Sequence, residues 1–452
     1  MTTIPGTFTL ELDDSALGAL VEQHVTQQVQ AQQIPTQVHD QVVAEVAGAD
    51  IPGQVSAAVT GADIPGQVAD AVAAQVPPTS GGGTGSAYVG LPYTVITQPT
   101  DAAVQAGITA WLQNRTSSGF PRTHLLFGFI GEANLTTPLL PSTTGQIQGA
   151  RIRGLSKRGT ILRWSNASVP LLSSYGQLRN WMFEDFTVRG ANNAQGFYLR
   201  ADNSKTNQDG AWKLVEWLGS WQYGIGLDGK DNTANLNSEI VLDRVALGND
   251  ASFTGAWLHS GMTDGFNQQN QFLNYTIRDS KLEGSHGDYL RFDYGGVINI
   301  EGFSSWIHTG QAATDSVPRG RMIYLPRSGN GDSVMFLTAS GMRPELRSQQ
   351  SVLIDSNWSG AGTIVFQNLA SAANSFRVAD HEAYIFRNKA RVRFDGGHLH
   401  GHIGLRGSQA NPKVVLDCIG SPGNQGVNAG AVGAGGIVRA YDGGSTANVV
   451  IR

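Results

Sequence analysis

Two hydrophobic rhythms divide the chain. In residues 1–88 valines recur at every fourth position: Val21, Val25 and Val29, then Val38, Val42 and Val46, then Val55 and Val59, then Val68, Val72 and Val76. That spacing places each set on one narrow helix face. The octapeptide GADIPGQV stands at 48–55 and again at 61–68, and Ile34–Val38 is a looser copy. Proline suits the first turn of a helix and pushes the residue before it out of the helical region. The segment therefore predicts three or four short helices broken at Ile-Pro corners. Pieces of two or three turns are marginal in water, so the same helices of sister chains are their simplest partners; a disordered Ala/Gln-rich tail is the alternative. Pro77–Ser86 (PPTSGGGTGS) reads as a flexible linker.

After the linker, Asp101–Gln113 predicts one amphipathic helix with Val104, Ile108, Trp111 and Leu112 on one side. The rest is short β runs separated by Gly, Asn, Asp and Ser. One family comprises Phe183–Gly190, Leu214–Gly219, Val241–Gly248, Ile277–Gly284 and Ile298–Gly302. A second follows in phase: Gly196–Leu199, Gly224–Leu227, Gly255–Leu258 and Gly287–Leu290. A period of roughly 30 residues with several strands per period is the signature of a stacked solenoid. A parallel β-helix fits it, each strand pairing with its equivalents about 4.8 Å above and below. The predicted divisions are a docking and helical oligomerisation region at 1–76, the linker at 77–88, entry helix and parallel β-helix at 89–310, and either continued β-helix or a separate C-terminal β domain at 311–452.

Composition supports a turn-rich β chain: 57 of 452 residues are Gly, and only 15 % are charged, against roughly 25 % in ordinary soluble domains. A net charge of −5 lacks the footprint of a nucleic-acid binder. The longest apolar run, Leu125–Ile130, is far short of a membrane span. The start MTTIPGTFTLELDD has neither a basic nor an apolar signal region, and one cysteine, Cys418, excludes an intrachain disulfide. Folding in a reducing cytosol is the expectation.

Helical N-terminal segment, Gly-rich linker, the DAAVQAGITAWLQ entry helix, GARIRGLSKRGTIL at 149–162 and coils of the FEDFTVRG and VLDRVALG type together resemble phage tail-spike and minor tail proteins of the pectate-lyase-like superfamily. The resemblance covers residues 89–310 best. It implies a right-handed β-helix, a homotrimer, a place on the virion tail after assembly in the host cytoplasm, docking on other tail proteins through 1–76, and contact with host surface polysaccharide. Members are either adhesins or depolymerases, so a polysaccharide hydrolase or lyase is the alternative function.

Candidate chemistry lies in three sets. The repeated acids Asp185, Glu216, Asp243, Asp279 and Glu301 would stack at one position of successive coils, as a corner ladder satisfying turn amides or as a carboxylate pair for glycoside hydrolysis. Trp212, Trp217, Trp221, Tyr223 and Trp257 are candidate sugar-stacking rings, and the catalytic candidates beside them are Asp209, Asp228, Asp231 and Glu216. His398, His400 and His402 alternate, and would face one side of a strand. A metal shared by three chains is one reading of them and an exposed polar strand the other; the reading adopted assigns no metal. No cofactor is expected either: Gly224–Gly229 matches GxGxxG but does not open a helix.

Overall fold

The computed structural model describes residues 92–451 apart from 141–146, 202–206, 230–236, 263–271, 294–295, 303, 309–319, 327–335, 347–350, 359–361, 371, 374–381, 388–390, 400, 408–412 and 418–436. The region 1–76, the linker 77–88, Asp231, His400 and Cys418 lie outside the described residues. All described residues belong to the unit Ser86–Arg452.

Thr100 opens the helix Asp101–Gln113: its backbone is extended and its hydroxyl accepts the Ala103 N–H at 3.3 Å. Val104, Ile108 and Trp111 are buried against the strands Tyr93–Ile96, His124–Phe127 and Gly131–Leu135. The Trp111 indole N–H donates to the Thr123 carbonyl at 2.8 Å. The helix thus packs its one apolar stripe over the first strands of a coil.

From there the chain winds as a parallel β-helix of three strands per turn. In one turn Ser238–Asp243, Ala246–Leu247 and Ser252–Ser260 follow each other; in the next, Phe272–Arg278, Lys281–Leu282 and His286–Phe292 pair with them in parallel. The first face is one 14-stranded sheet from Tyr93–Ile96 to Val449–Ile451, so the described strands after residue 311 continue the same pairing. The second and third faces are joined where Thr187–Ala201 and Glu216–Gly229 run round the corner between them.

Register lines up the core. On the first face Leu125, Ile152, Phe183, Trp212, Leu242, Ile277, Ile300, Ala339, Phe366 and Phe394 stack as one inward column. All are buried. Glycines do more here than turn the chain. A methyl at Gly210 would overlap the Trp181 indole, one at Gly190 the Trp221 ring, and one at Gly224 the Trp257 ring. Each glycine is the notch into which a ring packs. The ring pairs are edge-to-face, Trp181 with Trp212 at 4.5 Å and Trp217 with Trp257 at 5.4 Å, an arrangement that aromatic quadrupoles favour. The indole N–H groups of these four find no oxygen acceptor among the described residues, and a ring face is a weak acceptor for such a group.

From Leu178–Glu184 onward each first-face corner carries a residue with positive φ: Asp185, Leu214, Arg244, Asp279, Gly302, Gly341, Asn368 and Gly396 in eight successive coils. The reason is the ladder. Turned this way, the N–H of Asp185 donates to Lys213 O, that of Leu214 to Asp243 O, that of Arg244 to Arg278 O and that of Asp279 to Glu301 O, at 2.9–3.2 Å. Inter-coil bonding therefore continues through the bend. The expected single ladder of acids is corrected here. Asp185 and Asp279 occupy the corner, Asp243 and Glu301 stand one residue before it, and Glu216 lies on the second face.

What precedes the corner is an alternation of charge. Arg153, Glu184, Lys213, Asp243, Arg278 and Glu301 are in register on six consecutive coils. Asp243 pairs with Arg278 at 3.1 Å and Glu184 with Arg151 at 2.6 Å. Burial alone would raise the Asp243 carboxyl, but Arg278 and Arg244 hold it below its usual range. At the opposite end of the same strands, buried Asn207 donates to the Asn237 side-chain oxygen at 2.8 Å, and Asn237 donates to the carbonyls of Leu199 and Asp228. The corner ladder expected of acids is made of asparagines, at a different corner.

Candidate functional site

The outward residues of the second face build a groove. Ile161, Thr187, Glu216, Ala246 and Lys281 are in register on five consecutive coils. With neighbouring coils about 4.8 Å apart, the column is about 19 Å long. The fourth of these coils carries almost no side chain, since Ala246 and Gly248 are its outward residues. A side chain at Gly248 would overlap Leu218, so the leucine of the preceding coil keeps that position bare. Glu216 and Leu218 rise on one side of the gap, Lys281 and Glu283 on the other. The result is an open cleft of about 480 Å³, also lined by Lys157, Arg158, Arg189 and Asn249. That volume is in the range of ligand sites.

Lys157 and Arg158 reach the cleft from a tight turn. The Ser156 hydroxyl accepts the Gly159 N–H at 2.9 Å, and its carbonyl accepts the Thr160 N–H at 3.1 Å. The Thr187 hydroxyl donates to the Lys157 carbonyl and ties the turn to the next coil. Arg189 is held by Glu132 at 3.4 Å, and Lys281 by Glu283 at 3.0 Å. Lys157, Arg158 and Glu216 form no ion pair among the described residues. The cleft therefore offers two uncommitted cations and one uncommitted carboxylate to whatever enters it.

The three described acids among those singled out from the sequence, Asp209, Glu216 and Asp228, do not meet. Glu216 lines the cleft. Asp209 is exposed at the start of the first face, where it has φ 53° and belongs to a column of left-handed residues with Asn180, Glu239 and Asn274. Asn and Asp tolerate that conformation best, which accounts for the aspartate without chemistry. Burial alone would raise the Glu239 carboxyl; hydrogen bonds from Ser238, Asn274 and Gln208 carry it below its usual range. Asp228 is 1 % exposed on the third face and accepts the Tyr198 hydroxyl at 2.8 Å. Asp231 lies outside the described residues.

The aromatic candidates are corrected. Trp212, Trp217, Trp221 and Trp257 are 0 % exposed and Tyr223 is 5 % exposed. Their faces are spent on each other and on the coil glycines, so they present no platform to a sugar. Tyr175 and Tyr198 do reach the surface, half-buried on the third face. Tyr175 and Tyr198 are 6.3 Å apart, with Arg200 over Tyr175 at 4.4 Å. Further along that face, buried Asp293 bonds His259 at 2.6 Å and Arg291 at 3.0 Å, which outweigh burial and lower its pKa. The histidine trio does not share a strand. Arg391–His398 ends at His398, positive-φ glycines Gly396, Gly397 and Gly401 turn the chain, and His402 starts the next strand. There His402 is buried and meets the Tyr441 hydroxyl at 2.8 Å. Among the described residues no group of three ligating side chains could hold a metal, and no helix is long and apolar enough to cross a membrane.

Lys157 and Arg158, Lys281 and Glu283 were not singled out from the sequence. The signal available was the small residue: Ala246 and Gly248 sit where equivalent coils carry Glu216 and Leu218.

No protein-family model matches the sequence, and comparison with curated proteins finds no match. Solved structures similar in fold include the Streptococcus pneumoniae surface protein and adhesin PfbA, at 10 % identity over 78 % of this chain and 96 % of that one, TM-score 0.34. The Agl-KA catalytic domain is 11 % identical over 82 % of this chain and 70 % of that one, TM-score 0.38. The catalytic domain of a GH87 alpha-1,3-glucanase in complex with nigerose is 10 % identical over the same shares, TM-score 0.35. The parallel β fold is given by the chain's own strand pairing, and its structural neighbours include a surface adhesin and glucanase catalytic domains.

Proposed function

We propose that the coil is an adhesive rod that contacts host surface polysaccharide through the second-face cleft. The observation that carries the reading is an open groove along five coils, floored by Ala246 and Gly248 and walled by charged side chains with spare hydrogen-bonding capacity. A lining spread over five coils, about 19 Å of the stack, suits an extended polymer better than a compact small molecule. The resemblance of the sequence supplies the setting: a phage tail spike or minor tail protein, right-handed and homotrimeric, docked on other tail proteins by residues 1–76.

A depolymerase on the same scaffold is the second reading, favoured by Glu216 and Glu283 on opposite walls of one cleft. Their backbones are two coils and two residues apart, roughly 12 Å by strand geometry. Side chains reaching inward could narrow that toward the roughly 6.5–9.5 Å of an inverting pair. Equilibrium binding of the full-length chain to purified host polysaccharide, followed by an assay for new reducing ends or unsaturated uronate, separates the readings. Binding without cleavage is expected, with Glu216→Gln weakening it about tenfold. Cleavage abolished by Glu216→Gln would establish the enzyme instead, and absence of binding to any surface polysaccharide would overturn both.

A further inference from the structure

We infer that the saccharide taken by the cleft carries an anionic group, and that Lys157 and Arg158 select it; this rests on the cleft being the polysaccharide site. The cleft is lined by four cations and two carboxylates on a chain whose net charge is −5. Two of those cations are already engaged, Arg189 by Glu132 and Lys281 by Glu283. Lys157 and Arg158 have no ion-pair partner among the described residues, yet they sit on a turn fixed by the Ser156 bonds and by Thr187. Their backbone positions are set before any ligand arrives, which lowers the ordering cost of binding. A guanidinium presents a planar fork matched to a carboxylate or a phosphate, and the ammonium beside it adds a mobile point charge. Glu216, two coils and so roughly 10 Å of column away from Ile161 at about 4.8 Å per coil, is the wrong charge for the anion. It serves instead as acceptor for hydroxyls of a neighbouring sugar.

The same carboxylates argue against a nucleic acid. A polymer with a charge on every unit would meet Glu216 and Glu283 along the same five coils, whereas a polysaccharide with an acidic unit among neutral ones meets cations and acceptors in turn. The anionic group is a carboxylate or a phosphate, and the probes must tell these apart.

The test uses the full-length chain and six polymers: oligogalacturonate, its methyl ester, a heteropolysaccharide alternating uronate and neutral units, poly(glycerol phosphate), dextran and a thymidine oligonucleotide. Affinities are measured at about 0.05 M and 0.3 M salt for the native chain, for Lys157→Ala/Arg158→Ala and for Lys157→Arg. Binding to at least one acidic saccharide polymer is expected, weakened at least tenfold by the double substitution and by salt, and retained by Lys157→Arg. The uronate polymers and the glycerol phosphate polymer then distinguish carboxylate from phosphate. Equal affinity for the methyl ester or dextran, or an undiminished double variant with an unchanged melting temperature, would overturn the selection while leaving the polysaccharide site standing. Binding to none of the saccharides would overturn both, and preference for the oligonucleotide would replace a glycan with a nucleic acid.

Discussion

At the scale of single residues, the informative pair is a glycine and a ring 29 positions before it. Gly210 has no side chain because the Trp181 indole occupies that space, and Trp181 is itself buried. Gly210→Ala should therefore destabilise the chain by about 1–3 kcal/mol, the usual cost of overpacking, read from the midpoint of denaturant unfolding. An unchanged midpoint would mean that the ring has somewhere else to go. Those tryptophans invited a reading as sugar platforms because a buried indole and a stacking indole look alike in one dimension; the glycine one coil away is what distinguishes them. Asp293 carries a second residue-scale expectation. Burial alone would raise its carboxyl, but His259 and Arg291 lower it, so the native state favours the charged form. That stabilisation is complete above the unfolded value of about 3.9 and is lost as pH falls through the lower native value. Stability measured between pH 2 and 6 should fall less steeply at the acid end in Asp293→Asn than in the native chain. Identical slopes would show that this contact does not contribute to acid sensitivity.

At the scale of elements, the entry helix was legible to the residue, since one apolar stripe and a Thr-Asp start fix both face and beginning. Strand alignment was legible less fully. The Gly-x-x-Leu family suggests that Leu199, Leu227, Leu258 and Leu290 stack; the register does pair Leu199 with Leu227 and Leu258 with Leu290, but it pairs Leu258 with Ile225 instead of Leu227. The offset is already one residue longer than the motif spacing at Trp221, and the bulge between Trp221 and Ile225 adds a second; a slip of two keeps the same face inward. Sequence periodicity cannot see such a slip, because it leaves the apolar pattern intact. The histidine trio failed for the opposite reason: positive-φ glycines at 396 and 397 bend the strand, which ends at His398, and Gly401 precedes the next strand at His402, where alternation alone would run straight on. The alternating charges before the corner make an element-scale test. Lys213→Glu would set a third carboxylate between Glu184 and Asp243. A destabilisation of about 1 kcal/mol is expected at low salt, shrinking by half or more at 1 M salt, where the Debye length is about 3 Å. A loss independent of salt would point to packing of the lysine stem instead.

At the scale of the whole molecule, the thirty-residue rhythm and the unbroken first-face sheet describe the same object, a rod grown by repetition. Repetition makes the groove, since one coil with small outward residues leaves a gap bounded by its neighbours. Where that gap falls was not legible, because outward positions are free of the apolar constraint that makes the core periodic. If the rod is a trimeric tail component, light scattering of the full chain should give about three times 48.0 kDa, and a monomer mass would remove that part of the proposal. Removing residues 1–80 should leave the β-helix folded by circular dichroism but absent from purified particles; normal incorporation would refute the docking role. The most direct test of the glycan-contact account is a cryo-EM map of the full-length chain saturated with its host's surface polysaccharide. The account predicts sugar density over Ala246 and Gly248, between Glu216 and Lys281 and within reach of Arg158. Density confined to the first or third face would contradict it.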